Sequence, residues 1–184
     1  MKMDKKELAI AYHDKKFNCC QAVACAFAGE VGVSEEVLFK AGEGFGLGMG
    51  GMEGTCGALS GAIMLAGMKN SDGNIENPAT KASTYQLSKE LLNQFREKTG
   101  STVCKELKGI ETGKVLCSCP DCIRCGVEVA EKVRYITFSY STSDFTIGEI
   151  IQCEVAWIQL QMNFGHSARK ILINCYLQTS IQFV

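Results

Sequence analysis

Between Ala41 and Gly54 the chain reads AGEGFGLGMGGMEG, with glycine at 42, 44, 46, 48, 50, 51 and 54. Glycine has the most backbone freedom to lose on ordering, so no regular element is expected to run through this stretch. Whatever lies on either side must form separate elements joined by a loop. Those flanks read as helices. Residues 4–13 make a short amphipathic helix. Residues 18–31 (NCCQAVACAFAGEV) are apolar almost all round, which places that helix at the centre of a bundle. Ser34, followed by Glu35 and Glu36, starts a helix reaching about Lys40. Residues 55–69 (TCGALSGAIMLAGMK) return to helix. Asn77 and Pro78 fit the N-cap and first position of a helix running to about Thr99, with Gly100 as its stop. A short turn of helix follows near 102–107, and a last helix runs from about Cys119 and Pro120 to about Val133. The expected fold class is all-α: a small helical bundle with a Gly-rich loop.

The chain changes character near residue 134. Of its 39 Asp, Glu, Lys and Arg residues, 34 precede residue 135, as do 17 of its 19 glycines. Beyond that point Ile151, Cys153, Val155 and Trp157 alternate, as do Ile171, Ile173, Cys175 and Leu177, a period that suits strands. The expected division is therefore a cysteine-rich helical domain, 1–134, and an extension, 135–184, without readable function. The extension reads either as a β-rich piece or as sequence foreign to the first part.

Eleven cysteines stand beside only two histidines, His13 and His166. The N-terminus, MKMDKKELAI, is too charged for a signal peptide or a membrane span, so a cytoplasmic, reducing location is expected. In such a setting this cysteine count points to metal binding or redox chemistry rather than structural disulfides. The net charge of −1 argues against a nucleic-acid binder. Four cysteines follow a capping-type residue at an expected helix start: Cys19 after Asn18, Cys56 after Thr55, Cys104 after Thr102, and Cys119 after Ser118. Helix N-termini carry unsatisfied N–H donors and the positive end of the macrodipole, which lowers a thiol's pKa. Cys56, where the glycine loop meets a helix, is expected to be both exposed and reactive. Cys119-Pro-Asp-Cys122 is a CxxC pair that can form a disulfide or chelate one metal, and Cys117 and Cys125 add thiols around it. Cys20 and Cys25, on the apolar helix, read as packing residues.

GFGLGMGG is not a dinucleotide fingerprint, because no strand precedes it. It reads either as a loop whose backbone N–H groups approach a group bound next to Cys56, with Gly57 and Gly61 the nearest backbone candidates, or as a connector. The spacing of Gly57 and Gly61 also suits close helix packing.

These residues carry a resemblance. NCCQAV with Cys19, GFGLGMGGMEGTCGALSG with Cys56, Gly57, Ala58 and Gly61, GSTVCKEL with Cys104, and CPDCIRCGVEVAEKV together resemble the C_GCAxxG_C_C family of redox-active proteins over about residues 5–134. The resemblance implies a small helical fold with four characteristic cysteines: Cys19, Cys56, Cys104 and either Cys119 or Cys122. Cys20 departs from the family pattern, which usually has a small residue there. A weaker resemblance links the helical domain to split-Soret-type cytochromes, where a similar domain accompanies an iron–sulfur centre. This chain has no CxxCH, so it lacks covalent c-type haem attachment.

Three functions follow. The first is thiol–disulfide exchange by converging thiols, resembling a thiol–disulfide oxidoreductase, with a redox partner protein or a small thiol or disulfide and no cofactor required. The second is ligation of an iron–sulfur cluster or zinc by Cys19, Cys56, Cys104, Cys119 and Cys122. The third is a helical interaction module whose cysteines only pack. Oligomeric state is not legible.

Overall fold

The structure, a computed structural model, describes residues 3–141, with side chains through Val133. Among these residues it is helical, with no strand beyond one isolated antiparallel bridge between Thr55 and Val103. The expected strands around 151–157 and 171–177 lie outside the described residues. No helix among those described is long and apolar enough to cross a membrane.

Helix α1 spans Lys5–Asp14 and α2 spans Cys19–Cys25. Asn18 starts α2 with a capping box: its Oδ1 accepts from the Cys20 and Gln21 amides at 2.9 Å, and the Gln21 side chain accepts from the Asn18 amide at 2.9 Å. The single helix expected over 18–31 is two. Phe27 leaves helical geometry (φ −111°, ψ 7°), its ring is buried, and α3 resumes over Ala28–Val31. Helix α4 (Glu35–Gly42) is capped by Ser34, as its sequence indicates.

Helix α2 is the hub. It packs on α1, on α4 and, most extensively, on α6 (Gly57–Asn70), which in turn carries α7 (Lys81–Thr99). Helix α7 does not start at Asn77 and Pro78. Asp72 and Asn74 side chains accept backbone amides of Asn74, Ala79 and Asn77, and these local turns satisfy groups a helix would otherwise use. Its end at Gly100, with φ +88°, is as expected. Helix α8 (Cys104–Lys108) follows Val103 rather than Thr102, with the Ser101 hydroxyl accepting the Val103 amide at 3.0 Å. Helix α9 (Cys119–Ser141) starts as expected and runs across residue 134. Phe27, Leu59, Leu65, Leu91, Phe95, Ile123 and Val127 fill the core between these elements.

The glycine run is more ordered than its composition indicates. Glu43–Phe45 forms a 3-10 turn, followed by the single turn α5, Gly46–Met49. Leu47, Gly48, Met49 and Met52 all have left-handed φ, between +53° and +64°. Amide bonds from Gly50 to Gly46, Met52 to Leu47 and Gly54 to Gly48 close the run on itself.

Candidate thiol cavity

Three close approaches bring the cysteine-bearing elements together. A Cβ on Gly57 would lie 2.5 Å from the Cys19 sulfur, and one on Gly48 would lie 2.6 Å from the Cys104 Cβ. One on Gly126 would lie 2.8 Å from the Ala58 carbonyl oxygen. These distances are below contact, so only glycine lets α2 meet α6, the glycine run meet α8, and α9 meet the start of α6. The Thr55–Val103 bridge adds a covalent-neighbour tie: the Cys56 amide donates to Thr102 at 2.8 Å, and the Cys104 amide donates to Gly54 at 3.1 Å.

The result is a cavity of about 330 Å³. Cys19, Cys56, Cys104, Cys119 and Cys122 all line it, joined by Cys117. Among the described residues all nine cysteines are free thiols. Cys19, Cys117 and Cys119 are half-buried, whereas Cys56, Cys104 and Cys122 are 5%, 5% and 3% exposed. Cys20, Cys25 and Cys125 do not line the cavity. They are buried, Cys25 against Leu38 and Cys125 in the main core. Gly57 and Gly61 face α2: a Cβ on Gly61 would lie 2.8 Å from the Cys20 carbonyl oxygen. Both are packed closely against that helix.

For Cys19, Cys56 and Cys104 the helix-start argument for a lowered thiol pKa does not survive the packing. Cys19 is pushed well above the ordinary thiol range, first by its neighbour Cys56 and then by burial. Cys56 is pushed up to about 12, first by its neighbour Cys122, with burial adding to it. Burial also raises Cys104 and Cys117. Cys56 occupies the N-cap of α6 with no cap hydrogen bond from its side chain, so it is neither exposed nor activated there. Thiolate charge is disfavoured where several sulfurs share a space from which water is largely excluded.

Three lining residues were not legible as site residues. Lys108 lines the cavity with Cys119, and that thiol is the first cause that raises the lysine's own pKa. Its position four residues after Cys104 on α8 was the available signal. His13, at the end of α1, faces the cavity with Nδ1 3.0 Å from the Phe17 carbonyl oxygen. Leu47 reaches the wall from its left-handed backbone position, inside the glycine run whose sequence offered an approach to Cys56 as one reading; nothing in the sequence near His13 pointed to the thiols. Among the described residues, no group of three or more His, Cys, Asp or Glu side chains is arranged to hold a metal ion.

A family profile described as "Putative redox-active protein (C_GCAxxG_C_C)" matches residues 17–136. No curated protein and no solved structure matches the chain.

Proposed function

The chain belongs to the C_GCAxxG_C_C family, and from that premise we propose that it works by thiol–disulfide exchange in the cavity, with Cys119 as attacking thiol and Cys122 as resolving thiol. The observation that carries this reading is the asymmetry of the pair. Cys119 is half-buried at the first position of α9 in a lining it shares with Lys108, whereas Cys122 is buried one turn further in. Cα atoms three apart on an α-helix stand about 5 Å apart, inside the Cα range of a disulfide.

In the first step the Cys119 thiolate attacks one sulfur of a disulfide R–S–S–R. The Cys119–S–R bond forms, the substrate S–S bond breaks, and one RS⁻ leaves and takes up a proton. In the second step Cys122 loses its proton and attacks the Cys119 sulfur, releasing the second RS⁻. The two cysteines are oxidised to one disulfide and the substrate is reduced to two thiols. Cys56, beside Cys122, with Cys19 and Cys104 on the same wall, keeps further thiols next to the new disulfide.

The test is a rapid-quench reaction of fully reduced, anaerobically purified protein with a disulfide, followed by alkylation and mapping. The expected products are a Cys119–Cys122 disulfide in the natural chain and a mixed disulfide trapped on Cys119 in Cys122→Ser. Cys119→Ser should remove the reaction. Stoichiometric iron and sulfide, or zinc, with thiols inert to disulfides would instead support ligation by the same cysteines.

A further inference from the structure

The cavity wall is uneven in charge. Among the described residues its lining includes Lys108 and no Asp or Glu. Asp121, which acts on the lining thiol Cys117, has its carboxylate engaged by the Ser118 hydroxyl and by Arg124 at 3.1 Å. On α8, Lys105 is taken up by Glu53 and Glu111 at 2.9 Å each, whereas Lys108 lines the cavity together with Cys104 and Cys119. An ammonium in that lining, with no carboxylate paired to it among the described residues, leaves positive potential at the cavity, where partly buried walls strengthen it.

Size adds a second constraint. About 330 Å³ is at the small end of ligand pockets. Cys122, Cys56 and Cys104 lie within it almost wholly out of solvent. Cys119, the attacking thiol, is half-buried in the same lining, so the S–S bond must enter the cavity far enough to reach it, which a small molecule does more readily than a disulfide held on a folded surface.

Resting on the exchange reading, we propose that the substrate is a low-molecular-weight disulfide carrying carboxylates, held with one carboxylate on Lys108 and a sulfur at Cys119. A bare thiolate reacts more slowly with an anionic disulfide than with a cationic one, because like charges meet. Lys108 offsets that repulsion, so charge preference is the signature of the site and does not depend on how fast exchange is overall.

The experiment measures consumption of three disulfides of similar size by the fully reduced full-length chain at low salt. The probes are 3,3′-dithiodipropionate (anionic), 2-hydroxyethyl disulfide (neutral) and cystamine (cationic). Each rate is divided by the rate of the same probe with dithiothreitol. The expected anionic-to-cationic ratio is about tenfold above that reference, the effect of one partly screened charge pair. Lys108→Gln should return the ratio to the reference, Lys108→Arg should keep it, and added salt should lower it in the natural chain, a readout that needs no variant. A natural-chain ratio equal to the reference at low salt overturns the charge proposal while leaving exchange standing. If none of the three is consumed, the exchange reading itself falls, and this proposal with it.

Discussion

Gly57 and Cys19 are packed so closely that a β-carbon on the glycine would stand 2.5 Å from the cysteine sulfur and 2.7 Å from the Phe45 carbonyl oxygen. The approach fixes where the first turn of α6 meets the first turn of α2, and so sets Cys19 beside Cys56.

Gly57→Ala should therefore destabilise the protein although alanine is the better helix former. Overpacking of this kind costs about 1–3 kcal/mol, against at most about 1 kcal/mol gained in propensity. Gly29→Ala in α3 is the control, since a Cβ there meets nothing within 4 Å. Denaturant unfolding should show a lower midpoint for Gly57→Ala and an equal or higher one for Gly29→Ala.

Asn18 holds both ends of a junction. Its Oδ1 caps α2, and its Nδ2 donates to the carbonyls of Gly42 and Glu43 at 3.3 and 2.9 Å. Asn18→Ala removes a cap, for about 1–2 kcal/mol, and also strips those carbonyls of a donor. Asn18→Ser keeps a capping oxygen and loses the donors without setting a charge against those carbonyls. Unfolding free energies should fall in the order natural chain, Asn18→Ser, Asn18→Ala; equal values for the two variants would show that the cap contributes nothing.

Exposure and thiol pKa, rather than helix position, should order the alkylation rates. Cys117 and Cys119 should react before Cys20, Cys25 and Cys56 when the native protein is treated with iodoacetamide at neutral pH and mapped by mass, with Cys19 held back by its raised pKa. Cys56 labelling first would restore the exposed, activated thiol that its helix-start position implies. For Cys25→Ser the Glu35 carbonyl oxygen, 3.6 Å from the sulfur, is a ready acceptor for the new hydroxyl. The substitution should then cost less than the roughly 1–3 kcal/mol of an unpartnered buried hydroxyl.

Stability should fall in alkali. Cys20 and Cys56 are pushed up to about 12, and Cys25 and Cys125 up to about 11, with burial the leading cause for all but Cys56, where the Cys122 neighbour comes first. The folded state therefore holds these protons after the unfolded chain has released them. Their contribution is complete below the unfolded thiol pKa of about 8.5 and is lost as pH rises toward the folded values. Within that window each such thiol removes up to about 1.4 kcal/mol per pH unit. Urea unfolding under reducing conditions between pH 8 and 10.5 should show the decline, and Cys20→Ala should make it shallower. A flat profile would mean the thiols titrate normally.

Much of the fold was legible because helix starts and stops are local chemistry. Asn18, Ser34 and Ser118 cap the helices they precede, and Gly100 ends α7 with a left-handed φ. The cysteines that carry the family pattern were legible for the same reason, as residue types at fixed spacings, and they do line one cavity. What tertiary structure decided was the state of each sulfur. A helix start alone implies an activated Cys56, yet Cys122 and burial push that thiol up to about 12, and both arrive from elements far away in the chain. The same holds for His13 and Lys108, which reach the thiols from α1 and α8. The left-handed turn at Leu47 is likewise set by what the glycine run must fit around, Cys104 and Asn18 among them. Capping and patterning act over one turn of chain and can be read along it; charge, desolvation and steric fit act through space, and only the folded arrangement sets those distances.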